Sequence, residues 1–243
     1  MRTTEKNKRL ALFGFSFEKG GAHTARTMML DELTTLLAFV DRPEAEKNDY
    51  LHVIDVENCL GKRSGKTRVL TYRHLVDLYS LDPTKVLFRA LVYFWNRDIE
   101  SRPLLALLCT YVRDPILRST ASFILELPEG TRVKRESLEQ FIDDQEPGRF
   151  SSATLKSTAQ NVNSTWTKSG HLDGRAIKIR VRANPTAGSV SYALLLGYLS
   201  GVRGQMLFQT EYTRLLDSTF ENTIELAAEA SRRGWIVFKR IGD

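Results

Sequence analysis

Between positions 147 and 182, seven basic side chains (Arg149, Lys156, Lys168, Arg175, Lys178, Arg180 and Arg182) stand against a single acid, Asp173. That local excess equals the formal net charge of the whole chain, +6, so the remainder is balanced. A concentrated cationic field of this kind suits a polyanionic partner better than a charge spread for solubility. Within the stretch, a helix read at 152–168 puts Leu155, Ala159, Val162 and Trp166 on one narrow stripe. Its opposite side carries Ser157, Gln160, Asn161, Ser164 and Lys168, flanked by Lys156 and Thr167. That side holds no Asp or Glu, whereas ordinary exposed helix faces mix Glu with Lys. Short hydrogen-bonding side chains with lysine, free of carboxylates, are the equipment for reaching phosphates and base edges of DNA.

A strand read at 176–182 then alternates, with Ile177, Ile179 and Val181 pointing one way and Lys178, Arg180 and Arg182 the other. Apolar-in and basic-out at period two is what a wing lying along a phosphate backbone needs. Helix, turn, helix and basic strand together read as a winged helix-turn-helix unit. The competing reading is a solvated amphipathic helix beside an edge strand protected by its lysine and arginines. The clustering of charge favours nucleic acid.

A second basic run, Gly61-Lys62-Arg63-Ser64-Gly65-Lys66-Thr67-Arg68, ends like a phosphate-binding P-loop. That motif needs glycine at position 60, which is Leu, and a buried strand before it, where Asp55, Glu57 and Asn58 intrude. It reads instead as a loop whose Ser64 caps the next helix, with Lys62, Arg63, Lys66 and Arg68 offering a second phosphate row. His23, His52, His74 and His171 lie far apart, and no nucleophile elbow, dinucleotide glycine fingerprint or metal-nuclease carboxylate pair is present. The expectation is a non-enzymatic protein without a cofactor or metal.

The elements that must position these residues are mainly helical. Apolar residues at helical spacing predict helices near 24–40, 46–60, 64–79, 83–96, 103–113 and 115–126, a helical bundle over 1–127. Asp82-Pro83, Ser101 to Pro103 and Asp114-Pro115 supply start signals. A break with Pro128 and Gly130 opens a second domain, 128–243, with a short helix (136–144), a turn at Pro147-Gly148, the helix 152–168 closed by Gly170, and the basic strand. Packing helices follow near 188–200, 204–216 and 221–232, and Trp235–Arg240 is strand-like.

At 42% hydrophobic and 26% charged, the chain is an ordinary globular sequence with enough apolar material for a core. Cys59 and Cys109 stand alone among apolar residues, as small hydrophobes in a reduced compartment. Neither apolar stretch, Leu104–Cys109 or Tyr192–Leu199, approaches the roughly 18–20 residues a membrane span needs. The charged start also lacks a signal-peptide pattern, so a cytoplasmic location is expected.

Three pieces resemble the BrxA-like proteins of bacterial bacteriophage-exclusion (BREX) defence systems. They are Phe17-Glu18-Lys19-Gly20-Gly21 before a helix, Glu57-Asn58-Cys59-Leu60-Gly61-Lys62-Arg63-Ser64 with Thr67-Arg68, and Arg233-Gly234-Trp235 leading to Arg240-Ile241-Gly242. The resemblance implies a mostly helical, non-enzymatic DNA-binding accessory protein of a phage-defence complex. Its expected partners are double-stranded DNA and other proteins of that complex. The alternative is a helical adaptor that meets an acidic protein or RNA, with the helices at 188–216 as core or as docking face.

Overall fold

The computed structural model describes residues 2–18, 20–42 and 45–239. Among them the fold is mainly helical with one small three-stranded sheet. In chain order the helices begin with α1 (Arg2–Phe13), α2 (Leu30–Phe39), α3 (Lys47–Asp55), α4 (Gly65–Tyr79), α5 (Val86–Trp95) and α6 (Arg102–Tyr111). Then come α7 (Pro115–Ser119), α8 (Ala121–Leu125), β1 (Arg132–Val133), α9 (Arg135–Gln145), α10 (Ser152–Lys168), β2 (Leu172–Asp173) and β3 (Lys178–Arg180). The chain continues through α11 (Ala187–Leu199), a 3-10 turn at Gly204–Gln209, α12 (Glu211–Arg214) and α13 (Phe220–Arg232).

Local capping chemistry explains the sharpest boundaries. Ser64 Oγ accepts from Thr67 N at 3.2 Å to open α4, and Ser151 does the same from Thr154 N for α10. Asp114 opens α7 by accepting from Ile116 N at 2.9 Å and Leu117 N at 3.1 Å, with Pro115 at the first helical position. Gly170, at φ +85°, ends α10 while His171 N reaches back to Trp166 O and Gly170 N to Thr167 O. This is a Schellman closure, which needs a left-handed residue at that point.

Tertiary contacts override the sequence pattern elsewhere. The helix expected from residue 24 starts only at Leu30: Ala22–Thr24 form a 3-10 turn, Met29 is left-handed at φ +50°, and the segment is held by bonds to distant elements. Met28 N donates to Thr165 Oγ1 at 2.9 Å, and Tyr79 OH donates to Met28 O. The helix expected at 115–126 breaks at the buried Thr120, whose Oγ1 bonds Leu117 O and receives Trp166 Nε1. The span 204–216 is a 3-10 turn and the short α12, parted by extended Thr210 at φ −76° and ψ 161°. Residues 235–239 form no strand, and Arg240 lies outside the described residues. The charged opening segment, which lies outside the predicted helices, forms α1.

The apolar core draws on both sides of residue 127. Leu33, Leu75, Leu105, Val162, Trp166 and Leu196 all belong to the same buried cluster. The sheet has the order β1-β3-β2 with both pairings antiparallel, Arg132 opposite Ile179 and Leu172 opposite Arg180. No described helix is long and apolar enough to cross a membrane.

Candidate nucleic-acid interface

The apolar stripe of α10 is buried as its spacing predicts, with Ala159, Val162 and Trp166 inaccessible and Leu155 half-buried. Its polar side divides into two halves. In the N-terminal half, Lys156 and Gln160 are exposed, and half-buried Ser157 bonds its own helix through Thr154 O at 3.0 Å. The C-terminal half docks on the molecule. Asn161 Nδ2 donates to His23 O at 3.0 Å, Lys168 Nζ meets Asp31 Oδ2 at 2.5 Å, and Ser164 is half-buried.

The alternation read for the basic strand does not hold. Arg180 is 3% exposed, whereas Ile177 is 50% exposed at the tip of the β2–β3 hairpin. β3 is the central strand, and its inward side chain at 180 meets a polar nest instead of apolar residues. Arg180 donates to Asp217 Oδ2 at 2.7 Å and to Ile124 O at 3.0 Å, with Val181 O and His171 O completing its shell. A buried charge persists only when paired and hydrogen-bonded in this way. Arg180 is therefore a structural anchor between the sheet and the turn before α13. Arg175 is exposed at the hairpin tip, and Gly174 there leaves no room for a side chain against Ile177 O. Lys178 Nζ donates to Gly174 O at 2.5 Å, and partial burial lowers its ammonium below the ordinary lysine value. Arg182 is exposed and pairs at 3.4 Å with exposed Glu129, an arrangement worth at most about 1 kcal/mol.

The second basic run is similarly mixed. Lys62 Nζ sits 3.2 Å from Glu32, and Arg68 Nε lies 3.7 Å from Asp55, while Arg63 and Lys66 are exposed. Asp31 and Glu32 are neighbours in the first turn of α2, so this helix end gathers Lys62 and Lys168 and neutralises both. Two further cations, Arg132 and Lys134, are exposed on either side of buried Val133 and have no ion pair among the described residues. The out-in-out pattern of Arg132-Val133-Lys134 was a legible strand signal in what reads as a loop.

Beneath α10 lies a buried relay. His23 Nδ1 is 3.0 Å from Asp114 Oδ2, and its Nε2 is 2.8 Å from Thr165 Oγ1. The order carboxylate–imidazole–hydroxyl is that of a hydrolase triad. Here His23 and Thr165 are wholly inaccessible and Thr165 already receives Met28 N, so the three groups clamp the 20–28 segment, α7 and α10 together. Burial alone would raise the Asp114 carboxyl. Facing His23 and the N–H groups of Leu117 and His23 outweigh it, and the carboxyl lies below its ordinary value. His171, enclosed between Ser169 Oγ and Leu215 O, is pushed by burial down to about 4 and stays neutral. No group of three or more His, Cys, Asp or Glu among the described residues is placed to hold a metal ion. No family model matches the chain, and no curated protein matches it in sequence.

Proposed function

We propose that the protein binds double-stranded DNA through a winged helix-turn-helix unit, with α9 and α10 as its two helices and the β2–β3 hairpin as its wing. One observation carries the reading. The connectivity β1–α9–α10–β2–β3 with strand order β1-β3-β2 coincides with an α10 whose N-terminal half is the free half. In helix-turn-helix proteins the N-terminal residues of the second helix reach base edges. Lys156, Arg175, Lys178, Arg132 and Lys134 then contact phosphates, while Arg182 keeps its weak surface pair with Glu129. Gln160 and Ser157 face the bases, while Asn161 and Lys168 hold the helix in place. Arg180 takes no part. Through its resemblance to BrxA-like proteins, the chain is read as an accessory protein of a phage-defence complex, without a catalytic step of its own.

Fluorescence anisotropy of a labelled duplex of about 30 base pairs, at several salt concentrations, tests this. Five neutralised phosphates give a slope of log K against log salt of about −4.5. The double variant Lys156→Ala, Arg175→Ala weakens binding and reduces that slope by about 2. Duplex affinity unchanged in this variant, or no binding at low salt, defeats the proposal.

A second reading, an adaptor for an acidic protein, is favoured by an apolar cavity of about 620 Å³ between α11, α13 and the 236–239 segment. Leu195, Tyr198, Phe208, Ile224 and Val237 line it, with Lys239 at its edge. It becomes the leading reading if the duplex does not bind.

A further inference from the structure

Away from α10 and the hairpin, a cleft runs between α1, the end of α6, α7 and α12. Two cavities of about 360 and 220 Å³ share Tyr111, Arg118 and Glu211 on their walls. The larger falls within the roughly 300–1,000 Å³ of small-molecule sites. None of the side chains assigned to DNA lines either one.

The chemistry of the walls is specific. Glu211 is exposed, and its Oε2 accepts from Tyr111 OH at 2.7 Å. A carboxylate offers about four lone-pair sites, so most of its accepting capacity is unspent. Arg118 donates Nη2 to Ser16 O at 3.1 Å, but its Nε is buried without a partner, and the guanidinium lies 5.5 Å from the Phe17 ring. Lys6, exposed on α1, faces the same space and has no ion pair among the described residues. Phe15, Tyr212 and Tyr111 form an edge-to-face aromatic wall with centroid separations of 6.5 and 6.3 Å, and Phe17 is partly exposed beside it.

We propose that this cleft binds a guanine nucleoside monophosphate. A carboxylate only accepts hydrogen bonds, and guanine offers two adjacent N–H donors on one edge. Adenine presents a ring-nitrogen acceptor there, which a carboxylate repels. Glu211 takes the base edge, Phe17 and the tyrosine wall flank the ring, and Lys6 with Arg118 holds the phosphate. Lys6, Arg118 and Arg214 against the one carboxylate leave the cleft positive, as a phosphate requires.

Isothermal titration of the full chain with GMP, AMP, guanosine and inorganic phosphate tests the assignment. One GMP binds per chain, and AMP binds at least about tenfold more weakly. Glu211→Gln weakens GMP by about ten- to hundredfold, the range for a hydrogen bond to a charged group. Lys6→Ala weakens GMP but leaves guanosine unchanged. Both positions are exposed, so neither variant threatens folding as a change at Arg118 would. Absence of GMP binding at about 1 mM, phosphate alone binding as tightly as GMP, or unaltered GMP affinity in Glu211→Gln overturns the proposal.

Discussion

Replacing Asp217 by Asn removes one charge from the buried pair that anchors β3 and leaves the shape of the site intact. Asp217 sits at φ +54°, a left-handed conformation that Asn tolerates nearly as well as Asp, so the backbone contributes little to the effect. The carboxylate receives Arg180 Nη1 at 2.7 Å and Ala183 N at 3.3 Å, and the Arg180 and Asp217 side chains are only 4% and 16% accessible. Breaking a buried pair by removing one partner costs about 3–5 kcal/mol, since the remaining charge is stranded. The partial exposure of Asp217 places the expected loss near the lower end, about 3 kcal/mol. A chain of this size has a urea m-value near the upper end of about 1–3 kcal/mol/M, so the unfolding midpoint drops by about 1 M. Arg182→Ala, which removes an exposed pair on the same strand segment, moves it by less than about 0.3 M. Circular dichroism in urea measures both. Equal midpoints for wild type and Asp217→Asn refute the role given to Arg180, and with it the inward turn of β3.

The neutral His171 makes stability depend on pH. Its folded value, about 4, lies below the roughly 6.5 of an unfolded histidine, so the unfolded chain binds the extra proton first. Stability is therefore full above about pH 6.5 and is lost as pH falls toward 4, by about 2 kcal/mol between pH 7.5 and 5. Urea midpoints across that window show the loss in wild type and a flatter profile in His171→Gln. Asp114→Ala removes the acceptor for the His23 ring, His23 N, Ile116 N and Leu117 N together, and costs more than about 3 kcal/mol in the same titration. A loss below about 1 kcal/mol there would show that the clamp holds nothing.

The sequence made some features legible and hid others for a common physical reason. Apolar periodicity and caps act within a few residues, so α4, α6, α10, α11 and α13 appear in the pattern within a residue or two of their true ends. Where a distant residue supplies the partner, local pattern misleads: Thr165 and Tyr79 hold residues 25–29 out of the helix their composition favours. Basic residues carry the same ambiguity in sharper form. Lys156 and Lys168 look alike on one helical face, yet Asp31, more than a hundred positions away, engages only the second. Arg180 sits in a period-two pattern with Lys178 and Arg182, but Asp217 and three backbone carbonyls turn it inward. A cationic cluster in a sequence thus bounds the set of phosphate contacts from above, and folding subtracts every member that finds its own carboxylate. What survives in the 147–182 cluster, Lys156, Arg175 and Lys178, lies with the unanticipated Arg132 and Lys134 on the β1–α9–α10–β2–β3 unit. The proposed interface therefore rests on fewer charges than the cluster suggested, and on better-placed ones.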